Sequence, residues 1–214
     1  MKLNSARLAW HDCYYTPGDS LAAFVIERAR LGSAVQLSEF DGRTARAVHQ
    51  AIAGRIQQAI NTLPPYVAAF GHWMYNPLAD DDSGDYHELA EAAVFVRAYD
   101  KSPRMTAYKA GRARYVAMGV LYRYRRMHQG GQSASLDPLR KPEEFRQWLD
   151  DEYGVRLASE AWSREWGGWV QLCFDACDDL DREALAPVAS VIRVMKSVDD
   201  GETGGAGKGC TFLI

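Results

Sequence analysis

Apolar residues in this chain recur at helical spacing, and no pair of alternating β-branched runs is joined by a turn dipeptide. That pattern restricts the chain to helices. Ala45, Val48, Ile52, Ile56 and Ile60 form one such series, with Arg43, Arg46, Gln50 and Gln57 on the other side. Asp41 caps it and Pro64-Pro65 stops it. By the same reasoning helices are expected over 21–31 behind Asp19 or Ser20, 65–74, 85–99, 103–129, 143–153, 160–178 behind Ser159, and 181–198 behind Asp181. In 85–99, Leu89, Ala92, Ala93 and Val96 share one side. The expected fold class is all-α, with about eight helices in two lobes. Residues 1–141 form the larger lobe, with a long basic helix at 103–129, and 142–198 the smaller, helix-turn-helix-like lobe. The Gly-rich segment 199–214 is expected to be a disordered tail.

The 214 residues are 47% hydrophobic and 25% charged, enough to bury a core without metal or disulfide. No apolar run approaches the roughly 20 residues of a membrane span, and residues 1–30 do not look like a secretory leader. Four cysteines are too few for a disulfide scaffold, so a reduced, cytoplasmic protein is expected, without contact to membranes. Cys173 and Cys177, at i and i+4, read best as buried free thiols, because no second pair has zinc spacing and the five histidines are scattered. His11-Asp12-Cys13 are adjacent and do not converge on one centre. Gly204 to Gly209 misses the spacing of a phosphate loop. No constellation supports an enzyme, and no metal or cofactor is implied.

Charge is strongly segregated. Residues 1–73 carry +2, 74–96 carry -6, 97–142 carry +9 and 143–202 carry -9, and Lys208 adds +1 to make the overall -3. A basic block inside an acidic chain is either a surface for polyanions or an internal counterweight to the acidic blocks. On the helix expected at 103–129, Arg104, Arg112, Arg123 and Arg126 fall within an arc of about 100°, and Lys109 widens it to about 140°. Tyr108, Tyr115 and Tyr122 run along one edge at heptad spacing, while Ala110, Ala113, Ala117, Leu121 and Tyr124 form the packing side. Guanidinium groups bind phosphate bidentately, and tyrosines hydrogen-bond phosphate or stack on bases. No acidic residue lies between Lys101 and Leu136 to neutralise the stripe at i+4, which favours nucleic acid.

Residues 143–169 have the outline of a helix-turn-helix centred on Gly154, with Leu149, Tyr153 and Val155 at apolar positions. Arg156, Ser159, Ser163 and Arg164 are then the candidate DNA contacts. Glu160 stands where a buried apolar residue belongs, and the first helix is acidic. The alternative is a helical hairpin packed by Trp148, Trp162, Trp166 and Trp169, or a docking surface for a protein.

Two stretches together resemble the Q-type late-gene antiterminators of bacteriophages and prophages, with a likeness to the cell-lysis regulators of Pseudomonas. One is Leu63-Pro64-Pro65 with Phe70-Gly71-His72-Trp73-Met74-Tyr75-Asn76-Pro77. The other is Trp148-Leu149, Tyr153-Gly154-Val155-Arg156-Leu157 and Trp162-Ser163-Arg164-Glu165-Trp166. The likeness spans roughly residues 60–190. The paired zinc cysteines of the lambda branch are missing, and the helix-turn-helix of another branch is only partly matched. The resemblance implies a factor that binds a double-stranded DNA element near a promoter and loads onto bacterial RNA polymerase paused there with its sigma factor. Downstream terminators are then suppressed, with nascent RNA as a further contact. From another class, a phage or mobile-element protein that binds and inhibits a host complex stays open, as does an enzyme acting on nucleic acid.

Overall fold

The computed structural model describes residues 5–14, 42–79, 84–102, 105–128, 137–158 and 162–203. Among them are seven α-helices and no strand: α1 (Ala6–Asp12), α2 (Gly42–Ile60), α3 (Pro65–Tyr75), α4 (Gly84–Asp100), α5 (Ala107–His128), α6 (Pro142–Tyr153) and α7 (Gly168–Thr203). The helix expected at 21–31 lies outside the described residues. The ends of α2, α3, α4 and α6 fall where proline, glycine and cap residues put them. Pro65 and Pro142 each occupy a first turn, where no intrahelical partner for N–H is needed.

Three segments depart from expectation. α1 was not foreseen, because two turns are too short to show a period; the Ser5 hydroxyl caps it by accepting from the Leu8 N–H at 3.2 Å. α5 starts at Ala107, four residues after Pro103, with the Thr106 hydroxyl accepting from the Lys109 N–H. The two helices expected at 160–178 and 181–198 are one. A single π-turn, Ser163–Gly167, leads into the 36-residue α7, which continues through Asp181 and Pro187 and on to Thr203, beyond the expected start of the tail. Asp181 does not cap a helix, since its carboxylate is used by other elements. Residues 204–214 lie outside the described residues.

α7 is the centre of the molecule. It packs against α1, α2, α3, α4 and α5, and the core runs without a break from Trp10, Phe70 and Val94 through Val120 and Leu149 to Cys177 and Val188. Buried residues on both sides of residue 141 belong to this one core. Cys173 and Cys177 are buried in this core as free thiols, and burial raises both of their pKa values. Cys13 is buried as well, its thiol pushed up to about 12 by the same cause. On α4 the core takes Ala90, Val94 and Ala98, whereas Leu89 and Val96 are 46% and 54% exposed. Of the side assigned from sequence to Leu89, Ala92, Ala93 and Val96, only Ala93 packs against the core, and the other three are exposed.

Gly119 explains how α6 reaches α5. A Cβ at Gly119 would stand 2.6 Å from Phe145 Cε2 and 3.1 Å from Trp148 Cζ3, so only a glycine lets those two rings lie against the α5 backbone. Gly119→Ala should overpack this contact and cost about 1–3 kcal/mol in chemical denaturation. Gly111 lies on the same helix with open space around its Cα. Gly111→Ala should instead stabilise by about 0.5–1 kcal/mol, the ordinary gain from removing a glycine inside a helix. Equal effects at the two positions would mean that ring contact does not set the Gly119 requirement.

Candidate functional site

The stripe expected on α5 is not continuous. Its C-terminal half is where α6 docks. Tyr115 meets Tyr153 with ring centroids 5.4 Å apart, and Tyr122 stacks on Trp148 at 4.9 Å and 19°. Arg123 is only 8% exposed. Its Nε and Nη2 donate to the two oxygens of Asp137 at 3.0 and 2.5 Å, and its guanidinium lies over Phe145 and Phe174. Arg123 therefore leaves the candidate interface; it is a clamp between α5 and the segment preceding α6. Helical spacing groups charged residues by angle but cannot show that another helix has covered them.

Other members of the basic block are paired across elements. Arg97 holds Glu183 with two hydrogen bonds of 2.7 and 3.0 Å, and Lys101 reaches Asp179 at 2.7 Å. Missing i+4 acids therefore say little about neutralisation in the basic block, because acids arrive from other elements, from α7 for Arg97 and Lys101 and from the segment before α6 for Arg123. Among the described residues Lys109, Arg112, Arg114 and Arg126 of α5 have no carboxylate partner. Arg112 lies over the ring of Tyr108, which is 70% exposed, and Lys109 lies over Trp166. Arg104 lies outside the described residues.

The helix-turn-helix expectation is not met. Gly154 ends α6 at φ 65°, its N–H bonded to Asp150 O, with the Val155 N–H on Leu149 O. Residues 154–158 are then non-helical, longer than the three or four residues of the motif's turn. Arg156 sits in that segment, pairing with Asp150 at 3.0 Å, and does not begin a recognition helix. Ser163 and Arg164 are exposed on the π-turn, and Ser159 lies outside the described residues. Trp166 and Trp169 are buried, the latter donating from Nε1 to Ala113 O at 2.9 Å. Trp148 stacks on Tyr122 of α5 and Trp169 bonds α5, while Trp162 meets Phe145 of α6 with ring centroids 5.8 Å apart.

A cleft of about 320 Å³ lies where α3, α4, α5 and α6 meet. One wall is Trp73, with Arg125 3.7 Å over its ring and His87 at 4.2 Å. His87 Nε2 lies 2.9 Å from Glu91 Oε1. The buried Trp73 Nε1–H has no acceptor among the described residues. The facing wall is the Tyr122–Trp148 stack, and Arg126 and Glu152 also line the space. Arg112, Lys109 and Tyr108 lie about three to four turns from Tyr122, towards the other end of α5. Sequence reasoning found Tyr122 and Arg126, treated Trp73 and Trp148 as family landmarks, and missed Arg125, Arg114 and His87. Arg125 and Arg114 lie about 60° and 80° beyond the Arg104 edge of the arc drawn from sequence, on the side away from Lys109.

No protein-family model, no curated protein and no solved structure matches this chain. Among the described residues no group of histidine, cysteine and acidic side chains is arranged to hold a metal, and no helix is long and apolar enough to cross a membrane.

Burial would raise the Asp137 carboxyl, but hydrogen bonds from Arg123 and the Leu139 N–H, with the charges of Arg123 and Arg140, hold it below the usual carboxylate range. A depressed folded-state pKa makes the pairing fully stabilising above pH about 4, and that stability is lost as pH falls through the folded value. Asp137→Asn should therefore destabilise the protein at pH 7. Its deficit in denaturant titrations should shrink as pH is lowered below 4. A deficit constant from pH 7 to 3 would show that the charge pair is not its source.

Proposed function

We propose that this protein is a nucleic-acid-binding transcription antitermination factor. In this reading it recognises a double-stranded DNA element near a promoter, loads onto RNA polymerase paused there with sigma, and suppresses downstream terminators. Nascent RNA is a further contact. The observation that carries the reading is the set of α5 cations without carboxylate partners, interleaved with the exposed rings of Tyr108 and Tyr122. Lys109 to Arg126 spans about 25 Å of helix, a track suited to consecutive phosphates. Exposed acids of α7, Asp175 and Asp178 among them, offer a surface for basic parts of a protein partner.

Four phosphate contacts, from Lys109, Arg112, Arg114 and Arg126, give a slope of roughly -3.5 in log K against log salt. Replacing Arg112 and Arg126 together by Ala should flatten that slope by about 2 units, with the melting temperature unchanged. Arg123→Ala should do the opposite, lowering the melting temperature and leaving the slope of the folded fraction alone. An unchanged slope in the double variant would remove α5 from the interface.

Function itself is tested by single-round transcription with purified polymerase and sigma on templates carrying the protein's own upstream region. An antiterminator raises the fraction of run-off RNA and leaves the number of initiated transcripts unchanged. A repressor lowers both products and an initiation activator raises both. A constant run-off fraction would reject antitermination and move the inhibitor of a host complex ahead.

A further inference from the structure

We infer that the cleft between α3, α4, α5 and α6 takes an unpaired guanine from a single strand, stacked on Tyr122, with Glu152 and Arg126 reading its edge. The inference rests on the nucleic-acid reading above and specifies what one part of that surface recognises.

A volume of about 320 Å³ is at the small end of ligand pockets, too narrow for a base pair in its stack but open to one base that has left it. The ring surfaces decide where a base can lie. Trp73 is already occupied by Arg125 and His87, so it is a wall. Tyr122 is braced by Trp148 yet keeps 36% of its surface exposed, which makes it a rigid platform with ring area to spare. Polar groups then decide which base. Arg126 and Glu152 line the same cleft, and neither has a partner among the described residues.

A cleft meant for phosphate alone is poorly served by Glu152, whose charge repels it. An ionised carboxylate only accepts hydrogen bonds, and with two oxygens it pairs best with two parallel donors. Guanine offers such an edge, N1–H beside the N2 amino group, and its O6 and N7 accept from a guanidinium. Adenine and cytosine set a ring lone pair beside their one amino group. Uracil flanks its N3–H with two carbonyls. Each of those three turns a lone pair toward the carboxylate. The guanine could belong to nascent RNA or to a melted DNA strand, and both share this edge.

The test measures binding of the full chain to pentanucleotides with one central guanine or adenine between uridines or thymidines, to GMP, and to a duplex of mixed sequence. Tryptophan fluorescence serves as readout, with thermal melting as the control for folding. The guanine strand should bind about tenfold more tightly than the adenine strand. Glu152→Gln, at an exposed position, should abolish that preference while duplex affinity stays the same or rises slightly as a negative charge is lost. Tyr122→Phe should keep the preference, and Tyr122→Ala should lose it. The RNA and DNA pentamers tell which source is preferred. Equal binding of guanine and adenine strands, or a preference that survives Glu152→Gln, would overturn the inference while duplex binding keeps the nucleic-acid reading. GMP binding as tightly as the pentamer would overturn the single-strand claim. No binding to either strand or duplex would overturn both readings.

Discussion

A single buried carboxylate holds the helices in register. Asp181 is 5% exposed in the middle of α7, where an isolated charge would cost several kcal/mol. Donors from three other helices meet it. Arg7 of α1 reaches Oδ2 at 2.6 Å, the Tyr75 hydroxyl of α3 donates to Oδ1, and the Tyr124 hydroxyl of α5 lies 3.4 Å from Oδ2. Tyr124 also donates to Asp178 at 2.9 Å. Burial, reinforced by the charge of Asp181, raises the pKa of both phenols and keeps them protonated as donors. Arg7 is shared onward, with Nη1 3.1 Å from His128 Nδ1 at the end of α5. Burial first, and then the charge of Arg7, lowers the pKa of His128, which favours the neutral ring that can accept from Arg7. The positions of α1, α3 and α5 around α7 thus follow from satisfying one acid.

This node also explains which parts of the fold could be read from the sequence. Helices α2, α3 and α6 carry their own punctuation, in Pro64-Pro65, Pro142 and Gly154, and local rules suffice for their ends. Asp181 before an apolar run has the local signature of a helix start, so one helix was divided in two. Its carboxylate in fact serves residues between 57 and 174 positions away, a relation no window of sequence contains. Arg123 fails in the same way. Its angle on α5 matches that of the open cations, and only the arrival of Asp137 and Phe145 separates it from them.

The site was legible in its components and hidden in its assembly. Tyrosine and arginine on α5 pointed to a polyanion surface, and the aromatic landmarks at Trp73 and Trp148 stood out. Their convergence depends on Gly119, which brings α6 close enough for Trp148 to meet Tyr122, and on α4, which sets His87 against Trp73. Composition and period describe one helix at a time, whereas the cleft needs four.

The charge map gains its meaning from this packing. α7 draws Arg97 and Lys101 into ion pairs, and Asp137 takes Arg123. The more exposed pairs, those of Arg97 and Lys101, add little stability. Their larger consequence is electrostatic. A cation already facing a carboxylate must give up that partner to bind phosphate, so it contributes little to counterion release. Lys109, Arg112, Arg114 and Arg126 face no such competition among the described residues. The acidic helix therefore does more than balance the basic block. By taking up the cations near it, it leaves Lys109, Arg112, Arg114 and Arg126 as the α5 cations without a carboxylate partner among the described residues, the groups on which the proposed phosphate contacts rest.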